Sequence, residues 1–344
     1  MDSIIVDRDE AYMRRCLHLA GLGLGSTHTN PLVGSVIVYN DSIIGEGRHE
    51  KYGEFHAERN AINSVENKDL LPNSTLYVNL EPCNHYGKTP PCSDFIINSG
   101  IRQVVVGMLD CNPIVSGCGI EKLISAGILV KVGVLKQNCE VLNRRFIINQ
   151  KKNRPYIILK WASSSDGYIA PVEPSHYWLT NATSRQWVHK WRTEEDAIWV
   201  GYQTARLDNP LLTVRDVAGR NPTRIVYDPK LELESSLSIY NNDANTIVIN
   251  NSKEEIVNNI RYLNWDGEDY MQLFSRLLQL NIGSIIIEGG AKTLYNFIAR
   301  SFYDEIRHIK TKGLLYNGLP SPQLPQLIHT TVQVIDDTLT IYNK

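Results

Sequence analysis

Gly53-Glu54-Phe55-His56-Ala57-Glu58-Arg59-Asn60-Ala61-Ile62 and Glu81-Pro82-Cys83-Asn84-His85-Tyr86-Gly87-Lys88-Thr89-Pro90-Pro91-Cys92 are the stretches that decide how this 344-residue chain is read. The first opens a helical pattern over His56–Val65, and the second follows a strand-like run, Thr75–Leu80, and precedes a short helical one, Ser93–Asn98. A helix, a strand and a second helix thus carry one histidine and two cysteines at their junctions. That donor set suits zinc: three protein ligands leave one tetrahedral position open, as in catalytic rather than structural sites.

Working outward, Asp9–Leu22 places apolar residues at helical spacing and stops at a glycine-rich turn. Val33–Tyr39 and Ser42–Gly47 read as strands around an Asn-Asp turn, with further strands at Arg102–Met108 and Ile128–Val134 and a helix at Gly119–Ala126. Alternating strands and helices predict an α/β layered sheet. A boundary is expected near Asn149, where lysine, arginine and proline gather just before a new strand, Tyr156–Trp161. The second half continues with strands at Ala197–Gly201, Arg224–Tyr227, Thr246–Ile249 and Ser284–Glu288, and Tyr240–Asn245 reads as a mobile loop. The expected domains are therefore 1–148 and 149–344.

Composition limits the alternatives. Hydrophobic residues at 42% and charged residues at 21% describe a folded globular protein. A formal charge of -2 lacks the basic face that nucleic acid demands. No apolar run reaches the roughly 20 residues of a membrane span, and the acidic N-terminus does not read as a targeting peptide, so the expected location is the cytoplasm. All six cysteines lie at or before Cys139, which favours metal-binding thiols over a disulfide framework. The sequence leaves a homo-oligomer open.

His56, Glu58, Pro82-Cys83 and Pro91-Cys92 match the zinc deaminase signature in ligands, glutamate and prolines. Glu58, two residues past the histidine ligand, is placed to move protons without binding the metal. Both cysteines are expected where helices start, with the helix dipole favouring thiolate. A zinc-stabilised interaction module is the non-enzymatic alternative, and there Glu58 and the open position have no purpose. A deaminase of bases in nucleic acid is the other, but such enzymes have two to four residues between the cysteines, whereas eight intervene here.

EPCNHYGKTPPC, NPLVGSVIV (Asn30–Val38) and GEFHAERNAI (Gly53–Ile62) resemble the deaminase half of the bifunctional deaminase/reductase family of riboflavin biosynthesis. The resemblance implies a three-layer, cytidine-deaminase-like fold and a diaminopyrimidinone substrate carrying a phosphoribosylamino group. It also implies that Asn30, His49, His85 and Lys88 contact the ring or its phosphoribosyl arm. Family members usually have proline where Phe55 stands, and DPNP and a basic residue where this chain has Asp110-Cys111-Asn112-Pro113 and Cys118. Cys111 and Cys118 are read as small hydrophobes.

In the second half a strand ends in Glu288-Gly289-Gly290 and runs into a helix, a geometry that gathers backbone N–H groups for phosphate. KWASSSDG (Lys160–Gly167), Tyr177-Trp178-Leu179-Thr180 and TARLDNPLLTVR (Thr204–Arg215) resemble the reductase half of the same family, which is similar to dihydrofolate reductase in fold. The resemblance implies NADPH as cofactor. It places Ala162, Trp178, Thr204, Asp208, Gly290, Ala291, Lys292, Thr293, Leu294, Tyr295 and Asn296 along the dinucleotide. His176, Arg192, Leu212, Arg215 and Glu288 would face the substrate, His176 standing where the family often has serine. Core packing is the alternative for Trp178 and Leu212. The two arginines suit a phosphate because the guanidinium fork binds it bidentately.

Overall fold

The computed structural model describes residues 7–84, 90–112, 115–172 and 178–344. The chain divides into two compact units, Met1–Asn153 and Arg154–Lys344.

In the first unit the order is α1 (Arg8–Gly21), β1 (Gly34–Tyr39), β2 (Ser42–Arg48), α2 (Ala57–Ser64), β3 (Thr75–Leu80), α3 (Cys92–Asn98), β4 (Gln103–Met108), α4 (Cys118–Ser125), β5 (Leu129–Val132), α5 (Lys136–Leu142) and α6 (Arg144–Lys152). The five strands form one sheet in the order β2-β1-β3-β4-β5. β1 is antiparallel to β2 and β3, while β3, β4 and β5 are parallel. Register and glycines together set the layers. Gly34 pairs with Arg48, and Ser35 with Gly47, so Gly34 and Gly47 point to opposite faces. A Cβ on Gly34 would lie 2.1 Å from the Cys16 carbonyl of α1, and one on Gly47 would lie 2.2 Å from the Ala61 nitrogen of α2. The two helices therefore flank the sheet, giving three layers around a core that includes Met13, Cys16, Ile37, Ala61, Leu76 and Ile96.

The expected boundary at 148/149 falls inside α6. The basic stretch is the last turn of that helix, with Lys151 and Lys152 at the end where the helix dipole favours cations. Asn153, in a left-handed conformation at φ 47°, ends it.

The second unit contains β6 (Tyr156–Ser163), β7 (Tyr168–Ala170), α7 (Ala182–Glu194), β8 (Ala197–Gly201), α8 (Tyr202–Asp208), β9 (Thr223–Tyr227), β10 (Thr246–Asn250), β11 (Glu255–Val257), β12 (Ile260–Asn264), α9 (Tyr270–Gln279), β13 (Ser284–Ile287), α10 (Ala291–Ala299), β14 (Glu305–Lys310), β15 (Leu319–Pro320), β16 (Ile328–Val334) and β17 (Asp337–Asn343). Ten strands form one sheet, β11-β12-β10-β9-β8-β13-β6-β14-β17-β16, and β7 pairs with β15. From β12 to β14 all neighbours are parallel, and the outer strands are antiparallel. The apolar runs of β6, β8 and β13 are buried throughout their centres, as parallel strands covered on both faces require.

The stretch 240–245, read from sequence as mobile, is tied down. Arg224, fully buried on β9, donates to the carbonyls of Ser238, Asn241 and Ala244 and to Asn241 Oδ1. Asn259 adds bonds to the Asn241 and Ala244 carbonyls.

Candidate active sites

Strand ends and helix starts build the first site. His56 is the N-cap of α2, extended at ψ 162°, and Glu58 lies in that helix's first turn. Cys92 is the first residue of α3, with Pro91 as N-cap. Cys83 follows β3 without starting a helix, contrary to expectation. Instead the helix it faces reaches it: the Cys92 N–H donates to Cys83 Sγ at 3.3 Å, and the Ser93 N–H to the Cys83 carbonyl at 3.1 Å. His56 Nδ1 lies 3.4 Å from both Cys83 Sγ and Cys92 Sγ, and all three donor atoms lie within 4.8 Å of one another. Metal–ligand bonds of about 2.3 Å to sulfur and 2.0 Å to nitrogen give a tetrahedral S–N edge of about 3.5 Å, so the set fits zinc.

Its electrostatics fit as well. The Cys92 hydrogen bond, working against burial and helped by His56, holds the Cys83 thiol down to about 4. The bond to Cys83 raises His56 to about 9, and Cys83 together with burial pushes Cys92 up. A dication replacing the protons on His56 and Cys92 leaves two thiolates and a neutral imidazole, which is zinc's preferred ligand state. Burial pushes Glu58 up to about 7, and its Oε2 is buried with no hydrogen-bond partner among the described residues. A carboxyl near neutrality with an unused oxygen is equipped to exchange protons.

Around this set lies a cleft of about 510 Å³ whose walls include Asn30, His49, Tyr52, Asp110, Asn112 and Phe146. His49 is 2% exposed. Its Nδ1 meets the Phe55 carbonyl at 3.1 Å, so that nitrogen carries the proton, and Nε2 accepts from Asn30 Nδ2 at 3.1 Å. Both ring nitrogens are engaged, so His49 holds the Asn30 amide at the wall of the cleft. His85 and Lys88 lie outside the described residues, as do Pro113 and His176.

Sequence reasoning missed Glu81. Its buried carboxylate accepts backbone N–H groups from Asp110 (3.0 Å), Gly117 (2.9 Å) and Gly119 (2.9 Å), tying these three residues to the strand end that leads into Cys83. Its place beside Pro82-Cys83 was the only signal. Phe146 and the nearby Gln150 come from α6, which no local pattern connects to the metal motif. Phe55 is exposed, with the Arg59 guanidinium 4.9 Å over its ring. Cys111 and Cys118 are half-buried rather than core residues, and burial, with the nearby Asp110, raises the Cys111 thiol to about 11.

In the second unit β8, β13 and β6 are adjacent parallel strands, and ligands of parallel sheets bind outside the carboxyl ends of such strands. Gly289 packs so closely on β8 that a Cβ would lie 2.8 Å from Val200 Cα. Gly290, at φ 59°, caps α10, and a Cβ there would lie 3.1 Å from Thr204 Oγ1 on α8. Thr204, Gly290, Ala291 and Thr293 are thus brought together, with Lys292 exposed beside them. Ala162 lies beyond the last β6 residue paired with β13. This glycine cradle and helix N-terminus suit a dinucleotide's phosphates.

Other expected cofactor residues are engaged differently. Leu294 is 1% exposed and belongs to the core with Phe297. Asn296 bonds Tyr270 Oη and Arg300. The exposed Tyr295 donates to the Ser321 carbonyl at 3.2 Å. Asp208 ends α8 on the surface. Trp178 is exposed with the Arg185 guanidinium 5.1 Å over its ring, which excludes the core alternative, whereas Leu212 is buried at φ 55°.

Glu288 gathers the cations of this segment. Its two oxygens take Arg192 Nε at 3.0 Å and Nη2 at 2.9 Å, and Oε2 also takes Lys160 Nζ at 3.2 Å. Burial alone would raise this carboxyl, but Arg192 and then Lys160 hold it down to about 2. The Arg192 fork, expected on a phosphate, is therefore occupied by Glu288, and its Nη1 donates to the Thr213 carbonyl at 3.0 Å. Arg215 remains exposed.

Among known proteins, residues 6–108 match the cytidine and deoxycytidylate deaminase zinc-binding region, and residues 155–311 match the RibD C-terminal domain. The riboflavin biosynthesis protein RibD of Aquifex aeolicus is 42% identical over 99% of this chain and 96% of its own. That of Synechocystis is 47% identical over 70% of this chain and 65% of its own. The crystal structure of a diaminohydroxyphosphoribosylaminopyrimidine deaminase/5-amino-6-(5-phosphoribosylamino)uracil reductase from Thermotoga maritima superposes with a TM-score of 0.88 at 36% identity, covering 98% of both chains. Acinetobacter baumannii RibD gives 0.87 at 30% identity, with the same coverage. A cytidine-deaminase-like unit followed by a dihydrofolate-reductase-like one is thus the architecture of this protein. The chain belongs to the RibD family of riboflavin biosynthesis proteins, with the deaminase zinc-binding region and the reductase domain joined in one polypeptide.

Proposed function

We propose that the protein deaminates a diaminopyrimidinone ribosyl phosphate hydrolytically and then reduces its ribosyl group to ribityl with NADPH. The observation that carries the reading is the buried Glu58 Oε2, without a hydrogen-bond partner among the described residues, beside a donor set that fits zinc. The unit ending at Asn153 would carry the first activity and the unit from Arg154 the second.

His56, Cys83 and Cys92 would hold zinc, which when bound supplies Lewis-acid activation of a water. Asn30, held by His49, accepts from the ring and orients the amine to be lost. Glu58 takes a proton from the attacking water at Oε2 and returns it to the departing ammonia. Ring carbon to oxygen is the bond formed, and ring carbon to nitrogen the bond broken.

NADPH supplies hydride in the second unit. Thr204, Gly290, Ala291 and Thr293 would cradle its phosphates. Glu288, Lys160 and Arg192 form the polar floor facing the sugar, and Arg215 receives the phosphate of the phosphoribosyl arm. Arg215 is favoured over Arg192 for that role because the Arg192 fork already holds Glu288. The reaction uses small, soluble partners, consistent with a cytoplasmic enzyme; no helix of the described residues is long and apolar enough to cross a membrane.

The test is incubation of the purified protein with the diaminopyrimidinone ribosyl phosphate, with and without NADPH. An amine-to-carbonyl change without cofactor, and addition of two hydrogens with it, are expected by mass. Unchanged substrate in a zinc-loaded, folded preparation would refute the deaminase assignment.

A further inference from the structure

We propose that His189 is a positioning residue for the reductase reaction, setting the place of Arg215 through the main chain. The inference rests on the reading above that Arg215 receives the substrate phosphate. Residues 212–216 are gripped almost one by one. Leu212 takes the left-handed conformation at φ 55°. The Thr213 carbonyl accepts from Arg192 Nη1 at 3.0 Å, and the Val214 N–H donates to Asn221 Oδ1 at 2.8 Å. The Arg215 N–H donates to His189 Nδ1 at 3.1 Å. His189 and Arg192 sit three residues apart on α7, hence on one face of the helix, and grip neighbouring residues of the strip.

The chemistry demands an acceptor at that point. His189 is 5% exposed, and an N–H pointing at Nδ1 requires that nitrogen to be unprotonated, so the proton sits on Nε2. Nε2 faces Asp216 Oδ2 at 3.6 Å, beyond hydrogen-bond length. Burial, then the positive charge of Arg192 and that of Arg215, keep the ring neutral, while Asp216 and Glu288 oppose them. A lysine or arginine here would present donors to a donor. The arrangement leaves the Arg215 side chain exposed while its backbone is fixed, so ligand binding need order only the side chain.

Steady-state reduction of the deaminated phosphoribosylaminopyrimidine by the full-length protein tests this, with NADPH affinity measured separately and folding followed by thermal unfolding. Arg215→Ala should raise KM about tenfold. His189→Leu should reproduce most of that rise with kcat and NADPH affinity within about twofold, and the double variant should be no worse than Arg215→Ala. His189→Asn, whose Oδ1 can stand where Nδ1 stood, should recover KM; His189→Gln, whose oxygen lies one bond further out, should not. A folded His189→Leu with unchanged KM overturns the proposal, as does a double variant whose losses multiply. Equal impairment of the asparagine and glutamine variants overturns it too, and that pair decides the matter if the leucine variant does not fold. An Arg215→Ala protein with normal KM removes the assignment of Arg215 itself, and the role of His189 with it.

Discussion

Glu288→Gln separates the contribution of the Glu288 cluster to stability from its contribution to catalysis. The carboxylate accepts three charge-assisted bonds, from Arg192 Nε, Arg192 Nη2 and Lys160 Nζ. An amide supplies one acceptor oxygen and turns an NH₂ against a cation. The folded carboxyl sits at about 2, against about 4.3 for an unfolded glutamate, and at about 1.4 kcal/mol per pH unit the gap is about 3 kcal/mol. The pocket is dry enough for that figure to stand without a large solvent discount, since the side chains of Glu288, Arg192 and Lys160 are 8%, 11% and 14% exposed. Because the folded pKa is the lower one, this stabilisation is complete above about pH 4.5 and is lost as pH falls toward 2. At pH 7 the variant's reductase unit should be about 3 kcal/mol less stable, a melting shift of about 6–12 °C for a unit of this size. The difference should narrow steadily in unfolding series taken from pH 5 to pH 3. Reductase KM should also rise, because Arg192 loses the partner that aims it at Thr213. A variant as stable as the parent at pH 7, or a difference that does not shrink with acid, would refute the ion-pair argument.

Glu58→Gln should keep zinc at about one per chain by metal analysis while deamination falls about 10²–10⁴-fold, with reduction of supplied deaminated substrate continuing. Cys92→Ser should lower zinc occupancy, and X-ray absorption on the parent protein should find one nitrogen and two sulfurs from the chain; four protein ligands would contradict an open site. Arg224→Met should destabilise the second unit by about 2–4 kcal/mol and speed protease cleavage between residues 238 and 245, because four acceptors lose the bond from Arg224 and only the Asn241 and Ala244 carbonyls keep one, from Asn259.

The metal site was legible because its geometry is local. His56 caps a helix and Cys92 begins one, so periodicity and proline placement put both donors at helix starts before any tertiary contact is known. Cys83 shows the limit: its partner helix comes from nine residues later, and no helix of its own exists. What went unread depends on distant partners. The stretch 240–245 has the composition of a mobile loop, and nothing within it reveals that Arg224, on another strand, will satisfy its carbonyls. His189 looks like one polar residue on a polar helix, yet it is buried because the 212–216 strip folds over it. Arg192 was matched to a phosphate by its chemistry; Glu288, 96 residues on, claims that fork first. β16 escaped notice because six of its seven residues are exposed, leaving no alternation to detect.

The backbone contacts at Gly34 and Gly47 have a bearing on inheritance as much as on packing. Each lets a helix rest directly on the strands, and the helix resting on Gly47 is the one whose leading end carries His56 and Glu58. One added methyl at Gly47 meets the Ala61 nitrogen at 2.2 Å, and relief requires the helix to lift by more than an ångström. Displacement of that size in a catalytic array can cost about a hundredfold in rate. A scan of single-codon changes would then score Gly47 as harshly as a metal ligand, though its hydrogen atom touches neither zinc nor substrate.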